Sequence, residues 1–222
     1  MAKKSPTPRK RLPQAEREAQ IIRDAIPFFA SRGFNGTTRE LADHLGIHQS
    51  LLYQYFPSKD ALIDRLYREI ILGRWKREWE DWLRDRDTPL KDRLERFLRA
   101  FTDGIFSYDY MRFFFLAWMD RPYARDHYNN PTQARVFRII SSELRHVSGL
   151  PGHEAWPMSV AELEMHHAFQ SSIFYYGVRQ FIFGVSPRIP RDEFITQQVK
   201  LFLAGAPEQL REMARLQKAP IA

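Results

Sequence analysis

An all-α fold is predicted: a small N-terminal three-helix domain of helix-turn-helix outline, followed by a longer helical bundle. Three observations carry this expectation. Beyond residue 14 nearly every segment places apolar residues at helical period, and no stretch alternates as a strand would. Glycine and proline punctuate the chain at helix-length intervals. Thr37-Thr38-Arg39-Glu40 has the pattern of a capping box, a hydroxyl followed three residues later by a carboxylate.

The elements follow in order. From Ala19 to Phe29, Ile21, Ile22, Ala25, Ile26, Phe28 and Phe29 mark one helix face, and Gly33 closes it. Pro27 removes a backbone hydrogen bond inside that helix and should bend its axis. The helix opened by the capping box turns Leu41, Ala42 and Leu45 inward and stops at Gly46. A second short helix carries Leu51, Leu52, Tyr55 and Phe56; Pro57 ends it, and Ser58 can cap the next. That next helix is expected to run unbroken to about Arg84, with Trp75, Trp79 and Trp82 on one stripe. Further helices are expected over 89–106, 109–127, 131–148, 155–184 and 191–204, with a last one near 207–217. Their breaks fall at Pro122, Asn129-Asn130-Pro131, Gly149 to Gly152, Ser186 to Pro190, and Gly205 to Pro207.

Composition bounds the chemistry. With 17 Phe, 9 Tyr and 5 Trp the chain can fill a sizeable core. It has no Cys, so disulfides, zinc-thiolate sites and thiol nucleophiles are excluded, and a cytoplasmic location fits. The densest apolar run, Phe113 to Met119, is far too short to span a bilayer, and no apolar stretch follows the basic start as in a secretory signal. A net charge of +7 favours polyanionic partners. Lys3, Lys4, Arg9, Lys10 and Arg11 all precede the first acid, Glu16, among three prolines. Residues 1–13 are therefore expected to be a disordered basic arm, either a solvated tail or a segment that follows phosphates or enters a minor groove.

Residues 38–56 read as helix, tight turn, helix. Leu52 and Phe56 can pack inward while His48, Gln49, Ser50, Tyr53 and Gln54 face outward, side chains suited to base edges and phosphates. The run Phe28-Phe29-Ala30-Ser31-Arg32-Gly33-Phe34, then Thr37-Thr38-Arg39-Glu40-Leu41-Ala42, Gly46-Ile47, and Leu52-Tyr53-Gln54-Tyr55-Phe56-Pro57-Ser58-Lys59-Asp60-Ala61-Leu62 resembles the DNA-binding domain of the TetR/AcrR family. The resemblance covers roughly residues 17–63. It implies a DNA-binding domain over 14–60 and a ligand-binding and dimerisation domain over 61–222. It also implies a regulator, a repressor in most of the family, that binds a palindromic operator as a homodimer and is released by a small molecule. On the matching positions, Thr38 and Arg39 would meet phosphate and base edges, Gln49, Ser50 and Tyr53 would sit on the recognition helix, and Tyr55 and Lys59 would contact phosphate. His48 departs from the pattern, standing where the family keeps Ser or Thr, so its role shifts from cap to base contact. Double-stranded operator DNA, an effector and a second copy are the expected partners; no cofactor, membrane or catalytic role is expected. No Gly-rich phosphate loop or nucleophile elbow is present.

For the effector, the aromatic excess over 105–119 and 169–183 exceeds what one inward face needs. Tyr110, Phe114, Trp118, Arg121, His167, Gln170 and Phe174 are the candidate ligand contacts, which would suit an apolar or aromatic molecule. A competing reading comes from Glu143-Leu-Arg-His146 and Glu164-Met-His-His167. Two Glu-x-x-His pairs on consecutive helices can hold a di-iron or zinc site, and the chain would then be a metal-binding protein or metal sensor. A repressor that senses no ligand is a third reading.

Overall fold

The computed structural model describes residues 13–120 and 131–218. Every regular element among them is helical. They are α1 (Gln14–Arg32), α2 (Thr38–Leu45), α3 (Gln49–Tyr55), α4 (Lys59–Tyr67), α5 (Glu78–Arg84), α6 (Leu90–Ile105), α7 (Tyr108–Asp120), α8 (Pro131–Val147), α9 (Val160–Gly177) and α10 (Arg191–Lys218). Two π-helical segments, Arg68–Leu72 and Val178–Ile182, continue α4 and α9. No helix among the described residues is long and apolar enough to cross a membrane. The chain divides into two compact units, with the boundary between Gly73 and Arg74.

The first unit closes around Ile22, Ala25 and Phe29 of α1, Leu41 of α2, Leu52 of α3 and Ile63 of α4, all essentially buried. α1 continues through Pro27 as one helix. The missing N–H costs one bond, but the flanking Ala25, Phe28 and Phe29 are buried and hold the helix to the core. The turn between α2 and α3 needs Gly46: its φ is 62°, in the left-handed region, and open space surrounds the position a Cβ would take. Backbone conformation alone, not crowding, selects glycine there. The amide of Ile47 then bonds back to Ala42 O at 3.0 Å, a carbonyl at the end of α2 that also accepts from the Gly46 amide.

The expected single helix from 59 to 84 is instead α4, a π-helical segment and α5. The amide of Gly73 bonds to Arg68 O, five residues back, at 2.9 Å, and the chain leaves the helical path before α5 begins at Glu78. Two other expectations shift for identifiable reasons. α9 begins at Val160 rather than near 155, because Ser159 caps it by accepting from the amide of Glu162 at 3.1 Å. α10 is one helix of 28 residues through Pro207, not two. Proline's φ suits a helix, and the buried Ala206 and Leu210 on either side anchor both halves to the core.

The second unit buries one continuous apolar cluster, centred on Trp79, Leu94, Phe97, Leu144, Ile195 and Val199. Several ion-pair groups lie inside or beside it. Glu143 of α8 takes Arg93 of α6 at 2.9 Å and Arg86 at 3.0 Å. Arg145 pairs with Glu162, the two side chains 1% and 0% exposed, and its guanidinium also lies 4.1 Å over the Trp156 ring. Glu80 binds Arg135 at 2.7 Å and accepts from the Trp75 indole at 3.1 Å.

Candidate nucleic-acid interface

α2 and α3 form the site. At the start of α2, Thr37 and Glu40 make the reciprocal capping box: Thr37 Oγ1 accepts from the Glu40 amide at 3.2 Å, and the Thr37 amide donates to Glu40 Oε2 at 2.8 Å. The hydrogen bonds from Thr37 hold the Glu40 carboxyl below its usual pKa. The box leaves the next side chain, Thr38, able to reach sideways toward α3. Gln49 Nε2 donates to Thr38 Oγ1 at 2.8 Å, and the Tyr53 hydroxyl lies 3.0 Å from the same oxygen. Two side chains of α3 thus converge on one hydroxyl of α2.

α3 is held by its other face. Leu52 and the following Phe56 are buried and Leu51 is half-buried, while His48, Gln49, Ser50, Tyr53 and Gln54 are exposed; Tyr53 keeps 45% of its surface in solvent. Tyr55 is half-buried with its ring 6.5 Å from Phe56. His48 stands at the N-cap of α3 but its side chain makes no capping bond. Arg39 is exposed on α2. Lys59, at the start of α4, donates to the carbonyls of Phe34 at 2.8 Å and Gly36 at 3.4 Å. It ties the α1–α2 connection to α4.

Every helix-turn-helix side chain singled out for DNA contact therefore lies on α2, on α3 or its N-cap, or at the start of α4, whereas the basic residues of the 1–13 arm lie outside the described residues. The link from Thr38 to Gln49 and Tyr53 is not visible in the sequence: the partners are eleven and fifteen residues apart, and no pattern marks them. The same holds for Lys59, whose carbonyl partners lie 25 and 23 residues away.

In the second unit, four of the candidate effector contacts come together. Tyr110 stacks on Phe114 with ring centroids 6.2 Å apart, Phe114 meets Trp118 at 5.5 Å, and Phe174 of α9 meets Phe114 at 5.3 Å. Two others turn toward α8: His167 packs edge-on to Phe137 at 4.9 Å, and Gln170 accepts from Gln133 at 2.6 Å. Arg121 lies outside the described residues. The neighbouring His166 is 1% exposed, between Phe137 at 5.6 Å and Phe202 at 6.0 Å. Neither of its ring nitrogens has a hydrogen-bond partner among the described residues, and burial pushes its pKa down to about 4.

The two Glu-x-x-His pairs do not meet as a metal site. Glu143 is committed to Arg93 and Arg86, whereas His146 and Glu164 are exposed. Among the described residues no group of three or more His, Asp or Glu could hold a metal ion.

Comparison with known proteins agrees with this geometry. The profile of the tetR family of bacterial regulatory proteins matches residues 21–66. The chain is 32% identical over 79 residues to the HTH-type transcriptional repressor KstR2 of Mycolicibacterium smegmatis, a match covering 35% of this chain and 34% of the relative. It is 43% identical over 49 residues to the HTH-type transcriptional regulator YuxN of Bacillus subtilis, across 22% of this chain and 17% of that one. The chain thus spans about a third or less of the length of these curated relatives. Among solved structures, a TetR-like transcriptional regulator from Rhodococcus sp. RHA1 aligns with TM-score 0.61 at 20% identity, over 88% of this chain and all of that one. A tetR-family transcriptional regulator from Streptomyces coelicolor aligns with TM-score 0.58 at 22% identity, over 92% and 88% of the two chains. At these identities the likeness is one of fold.

Proposed function

We propose, from the premise that this chain belongs to the TetR family of bacterial regulatory proteins through its N-terminal domain, that it is a transcriptional repressor acting on DNA. It grips a palindromic operator as a homodimer and lets go when a small effector binds the second unit. The observation that carries the reading is α3. It is seven residues long, packs by Leu52, and turns Gln49, Ser50, Tyr53 and Gln54 to solvent. Such a face presents hydrogen-bonding side chains outward on a short, packed helix, the arrangement that reads base edges in a major groove. Thr38, Arg39, His48, Gln49, Ser50 and Tyr53 would read base edges and phosphates, and Tyr55 and Lys59 would fix the register on the backbone.

Two features of the second unit support the remaining parts. Between α9 and α10 lies an open groove of about 390 Å³ lined by Phe169, Phe202, Leu201, Gly205 and Ala206, with Leu201 67% exposed. A second copy of this pair of helices would cover it and make the two-fold particle that a palindrome requires. In the aromatic cluster Tyr110 is buried while Phe114, Trp118 and Phe174 are half-buried, leaving partly exposed rings on which a flat apolar effector would stack. Binding there would favour a state with lower DNA affinity. Repression places the protein with the genome, in the cytoplasm.

Footprinting of the purified protein on genomic fragments, followed by titration of the protected duplex, tests the reading. A protected two-fold site is expected, and Tyr53→Ala should bind it more weakly by a factor of about ten while keeping the wild-type melting temperature. A protein that protects no duplex over competitor DNA would overturn it.

A further inference from the structure

The polar contacts around Thr38 carry a consequence for selectivity. Thr38 Oγ1 has one hydrogen and two lone pairs. One lone pair receives a hydrogen of the Gln49 carboxamide at 2.8 Å, and the other side of the hydroxyl meets Tyr53 at 3.0 Å. An exposed glutamine is ordinarily free to spin about three torsions and to present either its donor or its acceptor to a groove. Here one N–H is already taken by a residue of another helix. The remaining N–H and the carbonyl oxygen make no other hydrogen bond among the described residues, and Gln49 is exposed. That leaves a donor and an acceptor side by side, the complement of adenine N7 and N6–H₂ in the major groove. Guanine presents acceptors at both positions and would leave the Gln49 carbonyl facing an oxygen.

We propose that Thr38 is a positioning residue for base selectivity: by holding one amide hydrogen of Gln49, it turns the carboxamide into an adenine reader. Tyr53, on the same hydroxyl, couples to it. If Tyr53 donates to Thr38, the threonine proton points outward. If Thr38 donates, the tyrosine proton does. In either state one hydroxyl proton is offered to the DNA.

This rests on the reading of α3 as the recognition helix, and the test separates the two. The full-length protein is titrated with its footprinted duplex and with duplexes in which each A·T pair of the half-site is replaced in turn by G·C, or its adenine by 7-deazaadenine. The wild type should lose about ten-fold in affinity at one adenine per half-site with either change. Thr38→Val should reduce that loss to within about two-fold, Gln49→Ala should do the same, and the double variant should add nothing further. Thr38→Ser should restore the preference. If Thr38→Val instead weakens all duplexes alike and leaves their ratios unchanged, the hydroxyl serves a phosphate only and the proposal falls. Thr38→Val and Gln49→Ala effects that simply add would overturn it too. Either result leaves the regulator reading intact. A wild-type protein that binds every duplex and competitor equally would overturn both.

Discussion

Gly36 shows how a single residue can be constrained by packing rather than by backbone angle. A Cβ there would stand 2.8 and 2.9 Å from two atoms of the Phe28 ring, which is itself buried and cannot move freely. The Gly36 carbonyl also receives Lys59. Gly36→Ala should therefore destabilise the first unit by about 1–3 kcal/mol, seen as faster amide exchange in α1 and α2. His166 sets a second expectation at this scale. Burial lowers its folded pKa from the ordinary 6.5 to about 4, so between those values the unfolded chain binds a proton that the folded one refuses. Stability is full above about pH 6.5 and falls as the pH drops toward 4. Over that window the loss is on the order of 3 kcal/mol. Burial alone would raise the carboxyls of Glu143 and Glu162, but their arginine partners hold them low, so they add their own loss only below the ordinary carboxylate range. Urea midpoints at pH 7.5 and 5.0 should differ for the wild type and converge for His166→Phe; equal midpoints for the wild type would refute the burial argument.

At the scale of elements, helix starts are more legible in the sequence than helix continuity. Thr37 and Ser58, both readable as caps, each start a helix with a side-chain oxygen, a local arrangement spanning three or four residues; Ser159 does the same for α9, whose start the sequence places near 155 instead. Thr37→Ala should cost about 1 kcal/mol and, because the box also seats Thr38, should weaken DNA binding beyond what the stability change explains. Titration of the operator at a temperature where both proteins are fully folded checks this. Continuity is harder for one reason. Pro207 has the chemistry of a stop yet lies inside α10, while the apolar period over 59–84 suggests one helix where there are two. Local chemistry weighs one missing hydrogen bond; burial of Ala206 and Leu210, or the π-helical turn closed by Gly73, outweighs it.

For the molecule as a whole, each of the two units closes its own core, and the second also buries charge. Arg93 is 4% exposed and Glu143 5%, so removing the carboxylate leaves a guanidinium in apolar surroundings. Glu143→Ala should destabilise the second unit by about 3–5 kcal/mol. All five tryptophans, at positions 75, 79, 82, 118 and 156, lie in that unit, so the unfolding transition followed by tryptophan emission reports on it directly. Assembly belongs to this scale too. If the proposed dimer closes over the α9–α10 groove, sedimentation should show the wild type as a dimer and Leu201→Glu, which puts a charge into that groove, as a monomer with weaker DNA binding. A dimer that survives the change would place the subunit contact elsewhere.

By itself the sequence determined the all-helical class, the caps at Thr37 and Ser58, the turn at Gly46 and which face of α3 looks outward, because each is written in residues no more than about seven positions apart. Only the tertiary structure decided which side chains meet across helices. Thr38 meets Gln49 and Tyr53, Lys59 meets two carbonyls of the α1–α2 connection, and Glu143 meets Arg93 and Arg86 instead of a metal. Such contacts join residues from different helices. They depend on the angle at which cores bring those helices together, and no periodicity along the chain encodes that angle.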